Sequence, residues 1–296
     1  MRKFAIKLFL VLLIPALVAC GSSGQSGYHG YLYFAKGAYL MRFSLRDSDL
    51  SVAAVLGEKT IRDVSSFGEN KLLIAESESV NRQEVHRISW VDLKTGQLSA
   101  LYSGVIARYL AKSGLLVYDD GLKLYEVAIA GDSSSEIIFS HRMNQISSVM
   151  VVSDNIVLFE TIEAGQPVIR SYDVVTGALQ TLDSLSTLCR LEHAVWIDDF
   201  EQLACKQQTK QASDAHYLLV NLDGEQGGSL PLPEGKRFDA LAYVSGQGAL
   251  ILTESWRGLF GGEERSSVWV YDIHSGESHR LAKNQNLGSS VVYTDY

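Results

Sequence analysis

The stretch WVDLKTGQLSAL (Trp90–Leu101) returns as YDVVTGALQTL (Tyr172–Leu182) and again as VYDIHSGESHRL (Val270–Leu281). Each copy is an apolar or alternating run, then Asp-x-x-Thr/Ser-Gly, then a short run ending in leucine. An aspartate opening a tight turn accepts backbone N–H groups through its carboxylate. Threonine or serine does the same more weakly, and glycine takes the positive φ that closes the turn. The phrase therefore predicts a β-hairpin. Weaker versions stand at Leu45–Ser48, Val127–Gly131 and Asn221–Gly224. Six turns thus punctuate the chain at intervals of about 46 residues, a period that belongs to stacked four-stranded units.

Two further strands precede each hairpin. The second unit reads IRDVSSFG, NKLLIAES, VHRISWVDL and QLSALYSG; the sixth reads FDALAYVS, GALILTES, SVWVYDI and SHRLAKN. The first unit has only GYLYFAKG, AYLMRFSL and LSVAAVLG, while SSVVYTDY (Ser289–Tyr296) has no partner of its own. That last segment is expected to be the innermost strand of the first unit, closing a ring so that no edge is left unpaired. Residues 28–296 resemble a six-bladed β-propeller of the TolB-like and YVTN/WD-type superfamily. The resemblance implies an all-β ring of six four-stranded blades; a pair of β-sandwiches is the competing arrangement.

The first nineteen residues read as a secretory signal. Arg2, Lys3 and Lys7 flank an apolar run from Leu8 to Ala16 that is too short to span a bilayer. The run ends in Leu17-Val18-Ala19-Cys20-Gly21, which resembles the lipobox of bacterial lipoproteins. That resemblance implies cleavage before Cys20 and lipidation of its sulfur, with residues 20–27 as a flexible tether. Gly21, where retained lipoproteins of enteric-type bacteria carry aspartate, favours the periplasmic face of the outer membrane over the inner membrane.

Loss of the three cations in the signal takes the formal charge from −8 to −11. An acidic surface repels phosphate backbones, so nucleic acid is not an expected partner. Cys189 and Cys205 lie almost symmetrically about Asp198-Asp199. Antiparallel strands on either side would bring the sulfurs together as a disulfide in an oxidising compartment. Two buried free thiols are the alternative.

In a propeller, the second-to-third and fourth-to-first strand connections share one face. Here they read as long, irregular loops: SESVNRQEV, TIEAGQPV, QQTKQASDA and SWRGLFGGEERS. Function concentrates on loops held by a rigid scaffold, which makes this the expected working face. Trp256, Arg257, Leu259 and Phe260 are its candidate partner-binding residues, because aromatic and arginine side chains anchor protein interfaces. Arg62, Arg108 and Arg190 begin inner strands and are candidates for holding a small anion in the channel through their guanidinium forks. His193 falls in an expected inner strand and reads as a core histidine.

No nucleophile elbow, phosphate loop or zinc motif occurs in the sequence. The inner-strand starts hold too few carboxylates for a calcium cage, so neither a metal nor another cofactor is expected. The leading reading is a non-enzymatic scaffold in the cell envelope, held to the membrane by its lipid and binding protein partners there. A sensor that binds a small anionic ligand and a metal-dependent propeller hydrolase or lactonase are the alternatives.

Overall fold

The computed structural model describes residues 27–129, 136–142, 145–207, 216–232, 238–257, 264–288 and 290–295. Cys20, the signal and most of the tether lie outside them. Among the described residues no helix is long and apolar enough to cross a membrane.

Six antiparallel four-stranded sheets form the blades of a β-propeller. From the channel outward, blade one is Val291–Thr294, Tyr31–Lys36, Tyr39–Ser44 and Leu50–Val55. The closing strand comes from the far end of the chain, as the sequence predicts, in register from Phe34↔Val291 to Tyr31↔Thr294. Gly30 makes this approach possible. Its φ is +93°, and a Cβ there would lie 2.5 Å from the Thr294 carbonyl oxygen.

The inner strands are buried on both faces, and alternate residues go to the two seams: Leu32 and Phe34 to one, Tyr33 to the other. Leu32, Phe34 and Phe43 pack with Val244, Ile251 and Val270 where blade one meets blade six. Leu40, Leu72 and Ile74 fill the seam between blades one and two. The stability of each blade is therefore inseparable from that of its neighbours.

The repeated phrase folds as its chemistry dictates. Asp92 Oδ1 accepts from the N–H groups of Lys94 and Thr95, each at 2.9 Å. Asp173 does the same for Val175 and Thr176, and Asp272 for His274 and Ser275. Gly96, Gly177 and Gly276 close the turns with φ of 71°, 69° and 73°. The backbone N–H of Thr95, Thr176 or Ser275 holds each aspartate carboxyl below its usual range. The weaker version at Asn221 uses its amide oxygen, which accepts from Glu225 N–H. Ala130 and Gly131 fall outside the described residues.

Two expectations about the connections are corrected. The presumed long loops of blades two and four, and the described ends of the one in blade six, are continuations of the strands; residues 258–263 of blade six and 208–215 of the blade-five loop lie outside the described residues. In blade two, Lys71–Val80 and Gln83–Asp92 pair along their whole length, from Lys71↔Asp92 to Val80↔Gln83. In blade four, Ile156–Glu163 pairs with Gln166–Asp173. The two-residue turns Asn81-Arg82 and Ala164-Gly165 have positive φ throughout, a geometry that matches the strand twist and lets a hairpin run on. In blade six, Ala249–Arg257 pairs with Glu264–Asp272, so Trp256 stands on a strand, 37 % exposed. Arg257 ends that strand. Leu259 and Phe260 lie outside the described residues.

The second correction concerns the cysteines. They are joined, with Cα atoms 5.2 Å apart, but not across a hairpin. The cross-strand partner of Cys205 is Ala194. Cys189 sits between the short helix Asp183–Leu188 and the 3-10 turn Leu191–His193. The bond thus ties the blade four-to-five connection onto the second strand of blade five.

Candidate functional site

The first strand of every blade faces the central channel. On the face where these strands begin, a cavity of about 680 Å³ is lined by Arg62, Asp63, Arg108, Ser148, His193 and Ser290, among others. The charges in and around it are paired. Arg108 is bound to Asp63, and Ser290 Oγ donates to the same carboxylate at 2.7 Å. Arg62 Nη2 lies 2.6 Å from Glu84 Oε1 and its Nε donates to Ser77 Oγ at 2.9 Å. The guanidinium holds the Glu84 carboxyl below its usual range.

Arg190 is bound from both sides. Its guanidinium reaches Glu160 at 2.9 Å and Glu192 at 3.1 Å. Its side chain borders a neighbouring groove with Lys206 and Gln207 and not the channel cavity. The three arginines singled out in the sequence are therefore not brought together around one anion-sized space. Each has a carboxylate partner. Among the described residues, no three His, Cys, Asp or Glu side chains converge in a group that could hold a metal ion.

His193 is displaced from its expected place. It ends the 3-10 turn Leu191–His193, ahead of the inner strand Ala194–Ile197, and is 47 % exposed toward the cavity with Glu192 3.5 Å away. The turn lifts it out of the alternating pattern that would have buried it. His274 and His279 flank their turn without meeting: His274 stands edge-on to Phe200, and His279 is exposed beside Glu277.

Among the described residues, which leave out 208–215 of blade five and 258–263 of blade six, strand lengths alternate around this cavity. The second and third strands measure 10 and 10 residues in blade two, 8 and 8 in blade four, and 9 and 9 in blade six. In blades one, three and five they measure 6 and 6, 5 and 6, and 6 and 5. At about 3.3 Å per residue, the longest arm stands roughly 13 Å beyond its short neighbours. These are also the three blades that carry the strong Asp-x-x-Thr/Ser-Gly turn.

A third feature shares the pattern and escaped the sequence reading. Each long-armed blade has an apolar run followed by glutamate and a hydroxyl residue: Glu76-Ser77, Glu160-Thr161 and Glu254-Ser255. Glu76 and Glu160 are buried. Glu76 Oε1 binds Lys59 at 2.7 Å and accepts from Ser89 Oγ. Glu160 accepts from Ser147 Oγ and Leu191 N–H as well as from Arg190. Glu254 accepts from the Trp269 indole at 2.8 Å. An acid interrupting an apolar run in every second unit is the signal that could have found them. Two of the three tie the foot of an arm to the connection bordering the channel.

No family model and no curated protein matches the chain. Solved structures do. The TolB protein of Acinetobacter baumannii aligns with a TM-score of 0.57 at 12 % identity, over 91 % of this chain and 67 % of that one. A putative TolB from Agrobacterium tumefaciens aligns at 0.56 and 10 % identity, over 91 % and 99 %. A puromycin-hydrolyzing peptidase of Mycobacterium tuberculosis aligns at 0.56 and 12 % identity, over 89 % of this chain but 45 % of that one. At these identities the likeness is one of fold: a TolB-like six-bladed propeller.

Proposed function

We propose that this chain is a lipoprotein, anchored through Cys20 at the periplasmic face of the outer membrane, that works as a non-enzymatic scaffold for other envelope proteins. The observation that carries the reading is the crown of three extended hairpins on alternate blades. Hydrogen-bonded arms on one face of a closed ring present a wide surface, and backbone pairing within each arm lowers the entropy cost of association. The internal pairing of Arg62, Arg108 and Arg190 favours this surface over the channel as the place where a partner binds.

A photo-crosslinking amino acid placed in cells at Val80, Gln166 or Trp256, one on each arm, tests the reading. Val175 on the opposite face is the control, being 69 % exposed in the turn of blade four. The expected result is a discrete set of adducts from the arm positions and none from position 175. Equal or absent labelling at all four would sink the proposal.

A further inference from the structure

We infer that the outer edge of blade one, at its seam with blade six, rests on the lipid surface. The inference builds on the membrane anchoring proposed above and adds an orientation to it. Tyr39, Val52 and Val55 are 48 %, 51 % and 60 % exposed on the two outer strands of this blade. Tyr39 and Val55 are cross-strand partners, so their side chains share a side of the sheet. The register then skips Ala53, passing from Leu40↔Ala54 to Met41↔Val52. Ala53 and Ala54 both pack against the core shared with blade two. This bulge leaves Val52 on the same side as Val55 and makes one apolar strip of three residues, turned toward blade six.

Charge favours the same edge. Residues 28–58 balance Lys36, Arg42 and Arg46 against Asp47, Asp49 and Glu58, so the net charge of −11 on the mature chain resides entirely in the remaining residues. Across the seam, the outer strand of blade six, Ser278–Lys283, carries no acid; its Arg280 lies over Trp269 on the side toward blade five. An acidic protein near anionic lipid is repelled least at its neutral or basic edge. Tyrosine and valine on a charge-neutral edge suit the interfacial region.

The leash leaves from the same seam, at the opposite end of its strands. Tyr28 donates to Asp272, and the His29 N–H donates to Gln247 Oε1 at 3.0 Å, which pins the start of the folded chain to the seam of blades one and six. From Cys20 to Gly27 the chain can span at most roughly 25 Å. That is close to the length of the outer strand itself, so the lipid holds this edge within reach of the bilayer.

The test uses full-length lipidated protein in vesicles of phosphatidylethanolamine and phosphatidylglycerol. Val55→Cys, and separately Val175→Cys, is labelled with an environment-sensitive fluorophore. The native cysteines are engaged, so the label goes to one place. On vesicles the label at position 55 should be blue-shifted by the apolar surroundings and quenched by nitroxide-bearing lipid, and the label at 175 should be unchanged. Equal quenching at both sites, or a label at 55 that is shielded by a second copy and untouched by the nitroxide, overturns the orientation while anchoring stands. A Cys20→Ala protein run in parallel separates the two ideas. If it still floats with vesicles and incorporates palmitate, the anchoring reading fails, and this inference with it.

Discussion

The carboxylate of Glu160, fully buried, lies 2.9 Å from the guanidinium of Arg190, which is one-third exposed. Glu160 belongs to the second strand of blade four and Arg190 to the connection entering blade five, so the pair ties blade four to the connection that the disulfide ties to blade five. Removing a buried acceptor is costly, because the donors it satisfied stay desolvated without compensation. Glu160→Ala removes the acceptor of Arg190, Ser147 and Leu191 together. It should lower the unfolding free energy by about 3–5 kcal/mol in a denaturant titration. Glu192→Ala, which removes the exposed partner of the same guanidinium, should cost less than about 1 kcal/mol.

Replacing Cys189 and Cys205 together by serine should destabilise the protein by about 2–4 kcal/mol under oxidising conditions. A reducing agent should bring the parent protein to the same melting temperature. Two reactive thiols in the purified oxidised domain would reject the bond.

Ring closure rests on the strand Val291–Thr294 and on Ser290, whose hydroxyl accepts from Val64 N–H at 2.8 Å. Deleting residues 290–296 exposes the inner edge of blade one and unpins it from blade two. Gly30→Ala should act in the same direction, since the new methyl group meets Thr294 and Tyr293. Both variants should melt well below the parent in calorimetry; a truncated protein that keeps the parent melting temperature would remove the closure argument.

Asp92, Asp173 and Asp272 have carboxyl pKa values below those of an unfolded chain, so they add stability that is present above about pH 4 and lost as the pH falls further. Solvent exposure keeps each contribution small. Changing all three to asparagine preserves the side-chain acceptor and removes the titration. The melting temperature of the triple variant should therefore fall less steeply on acidification than that of the parent.

Ring, blade count and closing strand were legible in the residues because they depend on local chemistry repeated many times: alternation of period two, and an Asp-x-x-Thr/Ser-Gly turn whose bonds all lie within six residues. The arms were not. Asn81-Arg82 and Ala164-Gly165 lack the Asn-Gly signature, and polar residues on a strand exposed on both faces look like loop. Only the partner strand shows that they are paired. The disulfide could be anticipated from the compartment and the spacing, yet its setting depended on the short helix after blade four, which displaces Cys189 from the strand position that symmetry about Asp198-Asp199 suggested.

The sequence by itself determined that this chain closes into six blades, because turn chemistry and side-chain alternation act between near neighbours. Tertiary structure decided which charges neutralise one another and which surfaces remain for partners. The carboxylates that hold Arg62 and Arg108 lie 22 and 45 residues away, and Glu160 lies 30 residues from Arg190. Coulombic pairing follows distance in space, which is set only when the blades pack.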